Sequence, residues 1–370
     1  MAKVKIQGHA SGTGILTVTA PDTDENRTIT LPDATGTLLN SDGSAASLTA
    51  IPAANITGTL PAIDGSSLTG IAGRKNMIIN GGFDVWQRGT TGTAQGYNSA
   101  DRWYIARGGG SPAVSITRET FATTETDIKS KYYLQWVQST GGTNPYIVQR
   151  VEEVKPFLGQ EVTVSVWMKA ASAVTIDLDV YIDYGDAQST TLDENTSFSV
   201  TTSWQKFQHT FTISSGGTVA ANSNLEVRFS PPDSNTITTY FAEAQLEYGS
   251  TATDFEHRSY GEELALCQRY YQSHYTGIRG AKGNGSAMIG FSIDLPVPMR
   301  AAATMTTTGT CSTYANDAVV QSSATINSIT VSHHSDSMNY INFNLSGSSI
   351  TDNRGYVIQS TAVVKMDSEL

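Results

Sequence analysis

The opening part of the chain has too little apolar mass to form a core by itself. No Phe, Tyr or Trp occurs before Phe83 in a chain of 370 residues. The stretch AIPAANITGTLPAIDGSSLTGI, residues 50–71, carries isolated aliphatic side chains on a Gly/Ser/Thr/Pro backbone. Burying one of them contributes about 1.5–3 kcal/mol, whereas ordering each residue costs on the order of 1–2 kcal/mol. We therefore expect other polypeptide chains to complete the packing of this part.

The same stretch contains an internal repeat. Ala50-Ile51 returns twelve positions later as Ala62-Ile63, and an Ile/Leu-Thr-Gly triplet recurs with the same offset. When identical chains wind together, each aliphatic residue meets its symmetry mates, and the neighbouring chains supply backbone hydrogen bonds. The repeat thus predicts a threaded homotrimer neck over residues 41–73. A flexible linker is the alternative, because Gly/Ser/Thr linkers are common. The predicted trimer-interface residues are Ile51, Ile56, Leu60, Ile63, Leu68 and Ile71.

From Lys75 onward the sequence takes on the alternation of apolar and polar residues that is typical of β-strands. The stretch VTIDLDVYIDY, residues 174–184, is apolar at every second position, and residues 162–168 follow the same rule, as do Phe207, Phe211 and Ile213. All five tryptophans lie between residues 76 and 258. Strands with one buried and one wet face favour antiparallel sheets. We predict a jelly-roll β-sandwich over residues 74–258.

One helix and a second β region follow. Ser259 and Glu262 form a capping-box pattern ahead of the run GEELALCQRYYQSHY, which predicts a helix. Alternating apolar residues at 289–295 and 341–345 predict strands after it. Residues 259–370 are therefore predicted to form a smaller C-terminal β domain preceded by one helix.

Composition excludes several partners. A formal net charge of −11 repels phosphate backbones, so no nucleic-acid partner is expected. The two cysteines, Cys267 and Cys311, give neither a disulfide framework nor a metal-binding spacing. No window reaches the ~18 apolar residues of a membrane span, and the start has no signal-peptide pattern. We expect synthesis in the cytoplasm and no membrane insertion.

Several segments, taken in order, resemble bacteriophage tail-fibre or virion-appendage proteins. SGTGILTVTAPDTDENRTITLPDATGTLLNSDG is similar to their virion-attachment segment, and LTAIPAANITGTLPAIDGSSLTGI to their neck repeats. KNMIINGGFDVWQRGT with YNSADRW resembles the start of their carbohydrate-binding-module-like jelly roll. EAQLEYGSTATDFEHRSYGEELALCQRYY resembles its closing strand and the helix, and FSIDLPVPMRAAATMTTTG the C-terminal domain.

The resemblance implies an elongated, all-β, homotrimeric fibre on the outside of a virion. Residues 1–40 would attach it to a phage tail or neck protein, and the C-terminal half would adsorb to a host-surface polysaccharide. A purely structural neck or head fibre without receptor binding is one alternative. A polysaccharide-cleaving tail spike is the other.

No catalytic motif supports an enzyme. HExxH, GxSxG, phosphate-loop and dinucleotide patterns do not occur. The row Asp177, Asp179 and Asp183 is read as the solvated face of a strand, although one close pair of carboxylates of the kind that glycosidases use stays open. We therefore expect a non-enzymatic protein.

Two groups of residues are predicted to contact a glycan, because aromatic platforms beside amide and charged groups suit sugar rings. For the first group, burial of both tryptophans in the sandwich core is the alternative. The second group lies in the predicted loop 275–286, which is otherwise a simple connection. The candidates are Trp86, Arg88, Asp101, Arg102, Trp103 and Tyr104 in the first group, and Tyr275, Arg279 and Lys282 in the second.

No cofactor is expected apart from a structural calcium ion. In the jelly-roll modules that this chain resembles, such an ion often ties the first strand to the last. The matching positions here are Asn80, Asp84 and Glu243, whose oxygen atoms suit calcium. The alternative is that these residues make turns and surface contacts.

Overall fold

The structure is a computed structural model. The chain divides into two compact units, residues 1–63 and 64–370, each with most of its contacts inside itself. The predicted attachment segment 1–40 and the neck 41–73 with its interface residues lie outside the described residues. The predicted boundary at residues 258/259 stays a prediction. The structure describes residues 75–110, 113–122, 125–185, 190–233, 236–275, 279–282, 288–301, 303–308, 311–315, 318–333, 338–346, 355–360 and 363–370.

Two antiparallel sheets form a sandwich of jelly-roll type. The six-stranded sheet has, in spatial order, β1 (Thr91–Gly92), β3 (Val114–Thr120), β4 (Tyr132–Gln138), β11 (Ile237–Tyr248), β6 (Glu161–Ala170) and β9 (Gln205–Thr212). The five-stranded sheet has β2 (Tyr104–Ala106), β5 (Tyr146–Glu152), β10 (Asn224–Ser230), β7 (Val174–Asp183) and β8 (Thr191–Val200). A 3₁₀ turn, Lys155–Phe157, precedes β6. The predicted all-β sandwich with one helix is confirmed.

The core lies between the two sheets and is built by the alternation seen in the sequence. In β7 the residues Ile176, Leu178, Val180 and Ile182 are buried, while their polar neighbours lie on the other face. Aromatic rings join the two sheets. The ring centroid of Trp103 lies 5.1 Å from that of Phe83 and 6.4 Å from that of Phe229, and Phe229 lies 5.8 Å from Phe241. Apolar burial of this kind is the main stabilising contribution to the sandwich.

The segment before β1 runs beside β11 at a β-bulge. The register of β11 with β6 shifts between Ala242 and Gln245, and Glu243 has a φ of +48°. Ala244 donates its N–H to Gly81 O at 3.0 Å, and the Asn76 amide donates to Ala244 O at 3.1 Å. A Cβ at Gly81 would stand 2.1 Å from Ala244 O, so glycine is required for this close approach.

The helix α1 (Tyr260–Gln268) begins where the capping box predicts. Ser259 is the N-cap, and its hydroxyl accepts the Glu262 N–H at 3.3 Å. The predicted continuation to Tyr275 is wrong, because Tyr271 already belongs to a strand. The rings of Tyr270 and Tyr271 lie under the guanidinium groups of Arg102 and Arg88, at 3.5 and 3.6 Å. These contacts hold the chain in an extended course after Arg269. No helix in the described part of the chain combines the length and the apolar character needed to cross a membrane.

The remaining strands form a small sheet and a closed barrel. The three-stranded sheet consists of β12 (Tyr271–Tyr275), β20 (Val363–Asp367) and β15 (Thr304–Thr308). The predicted loop 275–286 is in part strand, because Tyr275 ends β12 and the segment from Arg279 to Lys282 pairs with two barrel strands. The barrel order is β13 (Arg279–Lys282), β14 (Met288–Asp294), β18 (Met338–Ser346), β17 (Ala318–His333), β16 (Cys311–Ala315) and β19 (Gly355–Ser360).

The end of β20 and the residues after it are bound to the sandwich by ion pairs, most of whose members are buried. Glu369, whose side chain is 4% exposed, pairs with Arg102, which is 1% exposed, and with Arg88 at 3.2 Å. Arg88 also contacts Asp367 at 3.1 Å. The Arg150 guanidinium donates to Leu370 O at 2.7 Å. This C-terminal clamp, Asp367–Leu370, is therefore part of the folded core around β2 and β5.

Candidate functional site

The predicted tryptophan platform is not at the surface. Trp103 is fully buried and donates its indole N–H to Asn80 O at 3.0 Å, and Trp86 is 8% exposed and donates to Phe83 O at 2.7 Å. Both belong to the core between the sheets. The structure therefore shows the alternative, burial of both tryptophans in the sandwich core. The Gly/Asn/Asp-rich composition around these tryptophans suggested exposure. Backbone carbonyls nevertheless accept both indole N–H groups inside the fold.

The predicted charged contacts beside them are also buried. Asp101 is 1% exposed and accepts from the Gln87 N–H at 3.0 Å, with Arg88 3.6 Å away. Burial raises the pKa of Asp101 to about 6, against the lowering effects of Arg88 and Gln87. Burial alone would lower the pKa of Arg102, but Glu369 raises it, and the net direction is up. These side chains are buried and hold the C-terminal clamp in place, so they do not form an exposed surface for a ligand.

Two of the three predicted calcium ligands, Asn80 and Glu243, are engaged in hydrogen bonds within the fold, and the calcium site itself stays a prediction. All polar atoms of the Asn80 side chain are used inside the fold, since it accepts from Val85 N and donates to the carbonyls of Val85 and Asp101. Glu243 Oε1 accepts two backbone N–H groups, from Lys129 and Ser130. The part of the chain that the structure describes has no group of three or more His, Cys, Asp or Glu placed to hold a metal. The alternative, turns and local contacts, fits Asn80 and Glu243.

A different surface gathers aromatic and charged side chains, the outer face of the five-stranded sheet. Leu225, Val227 and Phe229 of β10 point into the core, so Glu226 and Arg228 lie on the outside. The pairing register then places outward residues of all five strands side by side. This Tyr181–Arg228 face comprises Tyr104, Tyr146, Arg150, Asp177, Asp179, Tyr181, Leu192, Asn195, Ser197, Glu226, Arg228 and Ser230.

The centre of this face is a row of stacked cations and rings. The Arg228 guanidinium lies 3.7 Å from the ring centroid of Tyr181 and 4.6 Å from that of Tyr146. Glu226, 4% exposed, bridges Arg228 and Arg150, whose Nε atoms both donate to it at 2.7 Å. Because Glu226 and the tyrosine rings hold the Arg228 guanidinium in place, this side chain has little freedom to move. Such fixed planar groups lose little conformational entropy when a ligand binds.

Beside that row lies a band of carboxylates, amides and hydroxyls. Asp179 accepts from the Asn195 amide at 2.6 Å and from the Ser230 hydroxyl at 2.7 Å. Asp177 accepts from the Ser197 hydroxyl at 2.6 Å. Leu192 is the cross-strand partner of Tyr181, and its side chain, which is 48% exposed, adds apolar surface. The face thus offers flat apolar surface next to oriented donors and acceptors, the combination that suits a polyhydroxylated ring.

Sequence reasoning found part of this face and missed its centre. Tyr104, the predicted contact that does lie here, packs its ring 4.9 Å from the Arg150 guanidinium. The row of Asp177 and Asp179 was recognised as an outer strand face. Arg228 was missed, because the strand partner that brings it to Tyr181 is fixed by tertiary pairing. The alternation of residues 224–230 was the available signal. For Arg279 and Lys282 the structure gives strand positions only.

Comparison with known proteins identifies the domain type. Residues 75–235 match the family model of a carbohydrate binding domain, CBM_4_9. This match supports the predicted carbohydrate-binding module in the jelly roll. No curated protein matches the chain.

The solved structures that match part of this chain include carbohydrate-binding modules. One described as CBM4 is 18% identical, covering 46% of this chain and 98% of that chain, with a TM-score of 0.33. A putative sugar binding protein from Bacteroides thetaiotaomicron VPI-5482 is 13% identical over 47% of this chain and 100% of that chain, with a TM-score of 0.36. The enzymatically active domain of bacteriophage CBA120 tailspike protein 4 is 11% identical over 47% of this chain and 21% of that chain, with a TM-score of 0.33. Likeness at this level carries no statement about ligands or partners.

Proposed function

We propose that the jelly roll binds a glycan through the Tyr181–Arg228 face. The observation that carries the proposal is the fixed Arg228 guanidinium between Tyr181 and Tyr146, beside the hydrogen-bonded carboxylates of Asp177 and Asp179. The carbohydrate binding domain match over residues 75–235 supports a sugar ligand. Because the face spans the full width of an open sheet, it suits several consecutive units of a polysaccharide.

Arg228→Ala should reduce glycan affinity about tenfold or more, because one stacked cation and its orientation of Tyr181 are lost. The full-length protein is applied to a glycan array, and the best ligand is then titrated calorimetrically. Arg228→Lys keeps the charge without the planar stack and should lose affinity too. Tyr260→Ala removes a tyrosine that is 60% exposed on α1, away from the face, and serves as the matched control. Equal affinity of Arg228→Ala and wild type would place the site elsewhere.

We further propose that the chain is a non-enzymatic fibre on the exterior of a phage virion. The support is the sequence resemblance, the anchor-like segment 1–40 and the repeat in residues 41–73. In this proposal three weak glycan sites act together, and the high effective concentration gives firm adhesion to a repetitive surface. If host polysaccharide incubated with the protein released new reducing ends, the cleaving tail spike would replace this proposal.

Light scattering of the full chain should give about three times 39.5 kDa, because the isolated aliphatic residues of the neck need partners. Leu60→Asp should shift the mass toward the monomer while the circular dichroism of the sandwich stays unchanged. Leu192→Asp, which changes an exposed leucine of the jelly roll, should remain trimeric. A wild-type monomer at micromolar concentration would contradict the trimer.

A further inference from the structure

The opposite side of the sandwich has a hollow of its own. A cavity of about 330 Å³ opens beside the β-bulge of β11, and its lining includes Trp167, Lys206, Glu243, Asp254, Phe255 and His257. Ligand pockets run from about 300 to 1,000 Å³, so the volume lies at the small end of that range. It adjoins the six-stranded sheet, whereas the Tyr181–Arg228 face belongs to the five-stranded sheet.

Trp167 supplies an aromatic wall. Its neighbours along β6, Val166 and Met168, are buried in the core, so the indole lies on the outer face. Trp167 is only partly buried, and within the part of the chain that the structure describes its indole N–H has no acceptor. The cross-strand partner on β11 is Ala242, a small residue that leaves space beside the ring. The indole therefore combines an apolar face with an unused donor.

Glu243 supplies a fixed acceptor at the base. The residue is 4% exposed, and both hydrogen bonds that it accepts from the described residues, at 2.7 and 2.8 Å from Lys129 N and Ser130 N, go to Oε1. Oε2 accepts none from those residues. Its backbone has a φ of +48°, a conformation that non-glycine residues adopt at a cost and that clusters at binding sites. The bulge thus presents one carboxylate oxygen toward the hollow.

The charges around the rim are mixed. Asp254 and His257 are exposed there, and the Lys206 ammonium is held by Thr253 O at 2.7 Å. Asp127 and Lys129 add one charge of each sign to the same lining. Carboxylates and ammonium groups of comparable number favour a neutral ligand over an ionic one. The described residues also lack a group of three or more His, Cys, Asp or Glu suited to a metal ion.

We propose that this cavity is a second sugar site, which takes a single neutral pyranose unit, free or at the end of a glycan chain. The ring would stack on Trp167, and its hydroxyls would donate to Glu243 and Asp254. A hollow of this volume holds about one ring, unlike the open face on the other sheet. The two sites are independent, and the second does not require the first to bind glycan.

Saturation-transfer NMR of the full-length protein with glucose, galactose, mannose and N-acetylglucosamine tests the proposal. At least one of these sugars should give a signal with wild type. Trp167→Ala should weaken its affinity about tenfold or more. Trp204→Ala removes another partly buried tryptophan near the same sheet, outside the cavity, and should bind like wild type. The loss of signal caused by Trp167→Ala should be the same with and without Arg228→Ala, which separates the two sites.

Glu243→Gln provides a second variant that keeps the fold. Its amide oxygen still accepts from Lys129 N and Ser130 N, while the acceptor at Oε2 becomes a donor. We expect weaker sugar binding with an unchanged melting temperature. The proposal is wrong if none of the four sugars binds wild type, or if Trp167→Ala binds as well as wild type. A calcium-dependent rise in melting temperature that needs Glu243, without a sugar signal, would assign the cavity to a cation.

Discussion

Replacing Arg102 by methionine should lower the free energy of unfolding by about 3–5 kcal/mol, because it leaves a buried carboxylate short of its partner. The side chain of Arg102 is 1% exposed and that of Glu369 is 4% exposed. The same guanidinium donates to Arg150 O at 2.5 Å and stacks 3.5 Å from the Tyr270 ring centroid. Methionine fills similar volume but makes none of these polar contacts. Urea unfolding followed by tryptophan fluorescence measures the change.

A surface pair of the same type gives the matched control. Arg269 and Glu152 are 2.9 Å apart, but their side chains are 45% and 26% exposed. Arg269→Met should therefore cost only about 0–1 kcal/mol. Combining Arg102→Met with Glu369→Gln removes the orphaned charge and should be less destabilising than the sum of the two single changes. If Arg102→Met resembled Arg269→Met, the C-terminal clamp would not be part of the folded core.

Asp101 should make the protein more stable as pH falls from about 6 to about 4, relative to an Asp101→Asn variant. Burial raises its pKa from 3.8 to about 6, so the folded state holds the proton to a higher pH than the unfolded state does. The contribution of this group is fully present below the unfolded pKa and is lost as pH rises through the folded pKa. The shift corresponds to about 3 kcal/mol at most.

The groups that face Asp101 fix the design of the experiment. Arg88 stands 3.6 Å away and Gln87 donates from both its backbone and its side chain, while Glu369 adds a repulsive charge. Unfolding free energies of wild type and Asp101→Asn are measured at several pH values between about 4 and 7, where this titration falls. The difference between the two curves isolates Asp101 from other carboxylates. Parallel curves would mean that folding does not raise the pKa of Asp101.

The sequence predicts the sandwich strands well because the signal is local. Alternation within residues 174–184 corresponds to β7, and the capping box at Ser259 corresponds to the start of α1. The end of α1 was not predicted, since the run after Gln268 contains no Gly or Pro to stop a helix. The stop comes from tertiary contacts of Tyr270 and Tyr271 with two arginines.

The candidate site was less accessible to prediction. Arg228 and Tyr181 are far apart in sequence and meet because β10 pairs with β7, a register that no single segment encodes. Trp103 lies in a Gly/Asn/Asp-rich stretch that suggests exposure, yet the stretch folds inward and satisfies the indole with Asn80 O. Amphipathic side chains in loops can face either way, and the choice depends on which carbonyl groups lie within reach.

The place of β11 in its sheet has a consequence for how the protein is made. β11 (Ile237–Tyr248) is the last strand of the sandwich in the chain, yet it lies between β4 (Tyr132–Gln138) and β6 (Glu161–Ala170), which are synthesised well before it. During synthesis on the ribosome, β4 and β6 would both lack their partner strand until residue 248 has been made. Pairings of such high contact order form slowly, so the unfinished domain exposes strand edges to neighbouring chains during translation.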